Sequence, residues 1–203
     1  MNNAGRKWSP FTIGNKFHIK PGACAEKKEM INISLGEGRA FGSGEHETTR
    51  HCLEFIGSLH FYSHHKVLDY GTGTGILAIA AAKLNAGFIL ALDIDFNAIL
   101  ACRNNIQINS VNEKIFLACG DLTAINPLSR FHFIFANIYA DIIIERSALL
   151  NNMLAHKGYL LLSGIDWDYV DDVKRSFDRL NYQIVNQKSG RDYNSILYRN
   201  VFG

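Results

Sequence analysis

Short apolar runs alternate with helix-forming segments along most of this chain. The run at 66–70 stops at a cluster of glycines, residues 76–84 are rich in strong helix formers, and residues 88–93 are again strand-like. This order of strand, helix and strand predicts a βαβ unit. Because a helical crossover joins parallel strands, the centre of the predicted sheet is parallel.

The same alternation continues towards the carboxyl end. Residues 97–108 carry apolar side chains at helical spacing, which predicts one buried helix face, and 114–119 is a third strand candidate. Two more pairs of strand and helix follow, at 131–137 with 141–154 and at 159–163 with 168–180.

The last forty residues depart from this pattern. Residues 182–187 and 195–198 both resemble strands, and only a loop at 188–192 separates them, so we expect them to pair as a hairpin. A largely parallel α/β sheet that ends in an antiparallel hairpin differs from the ordinary dinucleotide-binding fold.

The beginning of the chain also lacks the alternation. Short β-like runs lie at 17–19 and 31–35, joined by a charged stretch. We interpret residues 1–45 as a lead-in segment that covers the functional site, and residues 46–203 as the main domain. Both parts belong to one compact unit, because 203 residues with 47% apolar content suit a single core.

Charge and hydropathy exclude several classes of partner. The formal net charge is only +2, so the chain lacks the basic field that non-specific nucleic-acid binding needs, and a nucleic-acid partner is unsupported. The apolar stretches are shorter than the roughly 18–20 residues that cross a bilayer, which indicates no membrane partner. The first residues do not form a signal peptide. We therefore expect a cytoplasmic protein.

Cysteine and histidine spacing gives no indication of a metal site. The four cysteines never form a CxxC pair, which favours reduced and mostly buried thiols; they are Cys24, Cys52, Cys102 and Cys119. The histidines of HETTRH are five residues apart, whereas the zinc motif HExxH separates them by four. No metal is predicted.

Three glycines between a predicted strand and a predicted helix indicate a ligand-binding loop. Gly71, Gly73 and Gly75 alternate with other residues, and glycine lets a ligand approach the backbone N–H groups at a helix start. The spacing is GxGxG, without the third glycine of GxGxxG, which disfavours a pyrophosphate-binding dinucleotide loop. A bound adenosine with a small charged tail suits this loop better.

Polar residues stand at the carboxyl ends of the next strands. Asp93 ends its strand and suits the two ribose hydroxyls, whereas Asp95 suits a cap for the following helix. Asp121 is explained equally well as a contact to an adenine amino group or as a turn or cap residue. Asn137 either orients a ligand or simply ends its strand. Together these residues predict a site at one edge of the sheet.

A second glycine-rich segment precedes a predicted helix. Four glycines fall between 36 and 44, and the Thr48–Thr49 pair then opens an apolar-periodic helix. Such a segment can close over a ligand as a lid.

Two sets of motifs resemble a known family. VLDYGTGTGILAIAAAKLNAGFILALDID is similar to the first motifs of class I S-adenosylmethionine-dependent methyltransferases. GRAFGSGEHETTRHCLE and FANIY resemble segments of the bacterial methyltransferase family that modifies ribosomal protein L11, the PrmA type. The resemblance spans roughly 11–199 and implies a Rossmann-like seven-stranded sheet. We expect the chain to lack the amino-terminal module by which full-length members recognise their substrate.

The resemblance also implies S-adenosyl-L-methionine as the cofactor and a set of residues that bind it. By motif position, Thr49, Gly71, Asp93 and Asn137 would bind the cofactor, Gly73 and Gly75 would complete the cradle, and Phe41, Gly42 and Thr48 would belong to a lid-like loop. Asp121 joins the predicted set from its place at the sheet edge, not from the resemblance. The lid-like loop would also include Gly44 and His46. The family pattern PGLAFGTGTHPTT is not fully kept, since this chain has Glu37, Arg39, Ser43, Glu45 and Glu47 at the less strict positions, and Tyr139 follows ANI where Leu is common.

The implied reaction is methylation of lysine or other amino groups of a protein such as a ribosomal protein. The amine must lose its proton before it can attack, and our hypothesis is that Asn137 orients it. A small-molecule amine methyltransferase and a non-catalytic S-adenosylmethionine-binding module are the alternatives. An NAD-dependent oxidoreductase is disfavoured by the glycine spacing and the terminal hairpin.

Overall fold

The computed structural model describes residues 9–22, 24–36, 44–178 and 182–201. Within this part of the chain the strands are β1 Phe11–Ile13, β2 Phe17–Pro21, β3 Ile31–Leu35, β4 Lys66–Tyr70, β5 Phe88–Asp93, β6 Ile115–Cys119, β7 Phe131–Asn137, β8 Leu154–Asp166, β9 Tyr182–Ser189 and β10 Tyr193–Asn200. The α-helices are α1 Glu47–Ser58, α2 Ile76–Lys83, α3 Phe96–Ile108, α4 Ala140–Met153 and α5 Val170–Asp178.

Seven strands form the main sheet, in the order β6-β5-β4-β7-β8-β10-β9. The pairs among β4 to β8 are parallel, whereas β10 lies antiparallel to both β8 and β9. The predicted fold class is therefore confirmed, including the carboxyl-terminal hairpin. The strand order reverses between β4 and β7, so the carboxyl ends of these strands border the crevice in which α/β sheets bind ligands.

The boundaries of three predicted elements differ most from the structure. The strand expected at 159–163 begins at Leu154, directly after α4, and its pairing with β7 shifts register between Phe131 and Phe133. The helix expected at 168–180 begins with a 3-10 turn at Trp167–Tyr169 and continues as α5, and residues 179–180 lie outside the described part. The hairpin loop is shorter than predicted, because β9 continues to Ser189 and β10 begins at Tyr193. The Gly190 N–H closes this loop by donating to the Tyr193 carbonyl at 2.8 Å.

Each face of the main sheet is covered by its own group of helices. One core holds α1, α2 and α3, and the other holds α4 and α5. Every residue of α2 from Ile76 to Ala82 is buried, as expected for a helix that is apolar all round. Buried side chains of the three-stranded sheet β1-β2-β3 belong to the same core as α1 and α2. The division of the chain at residue 45 stays a prediction.

The cysteines are free thiols, as the sequence indicates. Cys52 and Cys102 are buried, and burial raises the pKa of each thiol to about 12. Cys24 is partly buried and Cys119 is exposed, so only half of the four match the expectation of buried thiols. In the described ranges, no helix combines the length and the apolar character that crossing a bilayer requires.

Candidate active site

The glycine loop between β4 and α2 is held against the end of β5. The N–H groups of Gly71 and Thr72 both donate to the Leu92 carbonyl, at 2.8 and 3.0 Å. Gly71, Gly73 and Gly75 have φ angles of +74°, +54° and +81°, which L side chains rarely adopt. The sequence expectation of a tight loop at a helix start therefore agrees with the backbone geometry.

Two of these glycines also lie too close to neighbouring side chains for a Cβ atom. A Cβ on Gly71 would stand 2.2 Å from Cγ2 of Ile138, and a Cβ on Gly75 would stand 2.4 Å from the Cys102 sulfur. The backbone of the loop therefore packs directly against Ile138, which follows β7, and against Cys102 of α3.

Asp69 supports this loop from the interior, although the sequence analysis gave it no role. Its buried Oδ2 accepts hydrogen bonds from the Thr72 hydroxyl at 2.7 Å and from the Ala78 N–H at 3.2 Å. Burial raises the pKa of Asp69 to about 6, against the opposing effect of these two donors. Its place within the motif, two residues before Gly71, was the signal that could have identified it.

Asp93 connects the glycine loop to the start of α3. Its Oδ2 accepts from the Gly73 N–H at 2.9 Å and its Oδ1 accepts from the Asp95 N–H at 3.0 Å. A carboxylate has about four lone-pair sites, so each oxygen keeps capacity for a further donor. Asp95 accepts from the Asn97 N–H at 2.8 Å and caps α3, which confirms its predicted role.

Asp121 has protein partners of its own. The Tyr70 hydroxyl donates to it at 2.6 Å, and the Arg146 guanidinium lies 3.2 Å away. Burial tends to raise the pKa of Asp121, but the Tyr70 hydrogen bond and the Arg146 charge together hold it below its ordinary value. The sequence left a ligand contact and a turn role equally open, and this network adds a third role for Asp121.

Opposite the glycine loop, the site is lined by residues from distant parts of the chain. His46 caps α1, and its Nδ1 lies 2.9 Å from the Thr48 hydroxyl. The Asn137 amide donates to the hydroxyl of the fully buried Thr49 at 3.5 Å. Tyr193, at the start of β10, places its ring 5.3 Å from the His46 ring. Sequence reasoning missed Tyr193, because no local motif indicates which hairpin residue reaches the site.

These elements enclose a cavity of about 430 Å³ at the carboxyl edge of the sheet, within the usual size range of ligand pockets. Its lining residues are His46, Thr48, Tyr70, Gly71, Gly73, Asp93, Ile94, Asp95, Ala98, Asn137, Ile138, Tyr139, Ile142, Gly164 and Tyr193. None of these described lining residues is a lysine or an arginine.

Five of the predicted site residues line this cavity: Thr48, Gly71, Gly73, Asp93 and Asn137. Thr49, Gly75 and Asp121 are not among its lining residues. Phe41 and Gly42 lie outside the described residues. No group of three or more His, Cys, Asp or Glu side chains in the described ranges is placed to hold a metal ion.

Comparison with known proteins identifies close relatives of this chain. The family described as ribosomal protein L11 methyltransferase (PrmA) matches residues 1–200. The ribosomal protein L11 methyltransferase of Caldicellulosiruptor saccharolyticus is 38% identical over 92% of this chain and 61% of its own length. That of Desulforamulus reducens is 31% identical over 94% of this chain and 62% of its own length. The chain thus spans less than two thirds of the length of these curated relatives.

Solved structures agree with the fold. The crystal structure of ribosomal protein L11 methylase from Lactobacillus delbrueckii subsp. bulgaricus has a TM-score of 0.84 at 26% identity, over 96% of this chain and 100% of that one. An RNA methyltransferase from Salinibacter ruber in complex with S-adenosyl-L-homocysteine shares the fold, with a TM-score of 0.58 at 14% identity over 74% of this chain and 88% of that one. Since the family match extends over nearly every residue, this chain belongs to the ribosomal protein L11 methyltransferase (PrmA) family.

Proposed function

We propose that this chain is an S-adenosylmethionine-dependent N-methyltransferase that acts on lysine side chains or other amino groups of a ribosomal protein, with L11 as the first candidate. The observation that carries the proposal is one cavity in which the Asp93 carboxylate and the glycine loop face Asn137, Thr48 and Tyr193. Family membership supports the same reaction.

The glycine-loop side of the cavity fits the proposed cofactor. Asp93 keeps lone pairs for the two ribose hydroxyls after it has accepted from Gly73 and Asp95. The described lining residues offer carboxylates and no lysine or arginine, which suits a ligand that carries a sulfonium cation. When bound there, the cofactor would supply a methyl group activated by the positive sulfur.

The hairpin side of the cavity is the proposed acceptor site. A lysine amine has a reference pKa near 10.4 and must arrive without its extra proton, because the nitrogen lone pair attacks the methyl group. The Asn137 amide nitrogen donates to Thr49, so its Oδ1 is the atom that would accept a hydrogen bond from the amine. The enclosing walls orient the acceptor and exclude water.

The remaining predictions for the site belong to this proposal. We expect Thr49 and Gly75 to act through the residues that they support, and Asp121, Phe41 and Gly42 to complete the cofactor site. We also keep the cytoplasm as the expected location, because a ribosomal protein is made and assembled there.

Calorimetry tests the cofactor half of the proposal. S-adenosylhomocysteine should bind the wild-type chain with a single site, whereas NAD should not bind at comparable concentration. Binding of NAD without binding of S-adenosylhomocysteine would refute the assignment of the cavity.

Labelled S-adenosylmethionine then tests the reaction. Incubation with purified ribosomal protein L11 should label the protein, and a parallel incubation with small amines should not. The Asn137→Ala variant should weaken S-adenosylhomocysteine binding less than it slows methyl transfer, as expected for a residue that also contacts the acceptor in the transition state. Label only in the small amines would favour the small-molecule alternative, and binding without any transfer would favour the non-catalytic one.

A further inference from the structure

The tip of the β9–β10 hairpin is held by a single carboxylate from α1. Glu47 Oε1 accepts hydrogen bonds from the N–H groups of Asp192 at 2.9 Å and Tyr193 at 2.7 Å, and its Oε2 accepts from the Arg191 N–H at 2.9 Å. Three consecutive backbone donors thus converge on one side chain that lies 144 to 146 residues away in sequence. Hydrogen bonds to a charged acceptor are about twice as strong as neutral ones.

Two further contacts fix the tip in this place. Gly190 lies so close to Glu47 that a Cβ atom would stand 2.4 Å from Oε2, so a larger residue at 190 would displace the carboxylate. On the other side, the Trp167 indole N–H donates to the Arg191 carbonyl at 3.2 Å. Hydrogen bonds therefore hold the tip between Glu47, the first residue of α1, and Trp167, in the turn that follows β8.

The gripped segment carries one wall of the cavity. Tyr193, whose own N–H is bound by Glu47, lines the cavity next to His46, the residue that caps α1. Burial opposes ionisation of Glu47, but the three N–H donors outweigh it and hold its pKa below the ordinary value. The carboxylate is therefore charged at neutral pH.

We infer that Glu47 is a positioning residue of this site: through the tip amides it sets the place of Tyr193 on the acceptor side of the cavity. The inference rests on the proposed function for what the acceptor side does, and on the structure for the contacts. Glu47 itself does not line the cavity, so it acts through Tyr193 rather than by touching the reacting atoms. A displacement of about 1 Å of a positioning group can lower a rate by up to roughly 100-fold.

The test compares two carboxylates of the same helix. Glu47→Ala removes the acceptor of the three tip amides, and Glu47→Gln keeps one oxygen acceptor without the charge. Gly190→Ala places a Cβ atom against the Glu47 carboxylate and displaces it. Glu54→Gln is the matched control, because Glu54 also joins α1 to the hairpin, by an ion pair with Lys188, but away from the tip. The measurements are amide hydrogen exchange at 191–193, S-adenosylhomocysteine affinity, and kcat and KM for methylation of ribosomal protein L11.

We expect Glu47→Ala and Gly190→Ala to accelerate exchange of the tip amides at least about 10-fold, since these amides lose their acceptor. Their kcat for L11 should fall roughly 10- to 100-fold while S-adenosylhomocysteine affinity changes less than about 3-fold. Glu47→Gln should lie between these variants and the wild type. Glu54→Gln should leave tip exchange and kcat near the wild-type values.

Several outcomes would overturn the inference. Faster tip exchange with unchanged kcat would show that the place of Tyr193 does not matter, and an equal loss of cofactor affinity would show a general rather than a local effect. If the wild type does not methylate L11, the proposed function fails for this chain and the exchange data decide the inference alone. In that case, equal exchange rates of the tip amides in Glu47→Ala and Glu54→Gln would refute the claim that Glu47 holds the tip. Faster exchange in Glu47→Ala than in Glu54→Gln would support it.

Discussion

The two walls of the cavity are built in different ways. The glycine-loop wall comes from one continuous stretch, 69–95, in which two aspartates accept hydrogen bonds from backbone groups nearby. The hairpin wall brings together His46, Asn137 and Tyr193, and it is held by contacts such as Glu47 with Tyr193, which lie 146 residues apart. The first wall is specified locally, and the second depends on the completed fold.

This difference has an energetic consequence. Substitutions in the glycine-loop wall should remove affinity or stability directly, because backbone donors and acceptors there lose partners that cannot be replaced. Substitutions in the hairpin wall should mostly change how an acceptor is oriented. Substitutions in each wall test that separation.

The largest effect is expected for Asp93→Ala. The variant loses two charge-assisted hydrogen bonds to the proposed ribose hydroxyls and the acceptor for the Gly73 N–H. At about 1.5–3 kcal/mol per charged hydrogen bond, S-adenosylhomocysteine affinity should fall by about 3–6 kcal/mol, which is roughly 100-fold or more. Isothermal calorimetry measures this change.

Asp95→Ala is the matched control for that experiment. Asp95 lies two residues further on and caps α3 through the Asn97 N–H. Its loss should cost about 1 kcal/mol of folding stability and reduce cofactor affinity far less than Asp93→Ala does. Unaltered affinity in Asp93→Ala, or equal losses in the two variants, would refute the role assigned to Asp93.

Gly71→Ala should produce the next largest effect, on folding stability. Alanine at φ +74° costs about 1–2 kcal/mol, and the new Cβ would stand 2.2 Å from Ile138, which adds overpacking strain of about 1–3 kcal/mol. We therefore expect urea unfolding to show a loss of about 2–5 kcal/mol.

Gly14→Ala separates the two causes. Gly14 also has a positive φ, +54°, but a Cβ there would meet nothing within 4 Å, so only the backbone cost of about 1–2 kcal/mol should appear. A double-mutant cycle with Ile138→Ala should recover part of the Gly71→Ala loss. Equal losses in Gly71→Ala and Gly14→Ala would show that the loop moves away from Ile138 at no cost.

The same contrast explains how much the sequence could predict. The strands β4, β5 and β7 and the cap at Asp95 were predicted at their observed positions, because apolar patterning and capping act over a few residues. Glu47 and Tyr193 were not predicted as a pair, since nothing local to either residue indicates the other. The role of Asp121 was left open between a ligand contact and a turn. Its partner Arg146 lies on α4, which follows the next strand, so no local pattern around Asp121 indicates this ion pair.

The pH dependence of folding stability should differ between the two walls. The larger change is expected from Asp69, which supports the glycine loop. Burial raises the pKa of Asp69 to about 6, above its unfolded value of 3.8, so between these values the folded state binds the extra proton. Stability should therefore fall as pH rises from about 4 to 6, by at most about 1.4 kcal/mol per unit and about 2–3 kcal/mol in total.

Urea unfolding of Asp69→Asn against the wild type measures this contribution. The variant keeps an oxygen acceptor without a titrating proton, so its slope between pH 4 and 6 should be more positive than that of the wild type. Asp121→Asn is the control, because the pKa of Asp121 is lowered and its contribution changes only below about pH 4. Parallel slopes in the wild type and Asp69→Asn would mean that Asp69 titrates normally.

The smallest effect is expected for His51, on the hairpin side, with the opposite sign. Its Nδ1 lies 3.1 Å from the Ser195 hydroxyl of β10. Burial lowers the pKa of His51, although Glu47 and Glu54 oppose the shift. A lowered folded pKa gives stability that is present above the unfolded value of 6.5 and is lost as pH falls. His51 is only partly buried, so solvent screening keeps the contribution below about 1 kcal/mol.

His51→Gln keeps a hydrogen-bonding group without the titration, so its stability should fall less than that of the wild type between pH 7 and 5. The comparison must be a difference between the two proteins, because burial also lowers the pKa values of His65 and His132 and adds a change of the same sign to both. If the two pH profiles coincide, the pKa of His51 is the same in the folded and the unfolded chain, and burial next to β10 does not affect its protonation.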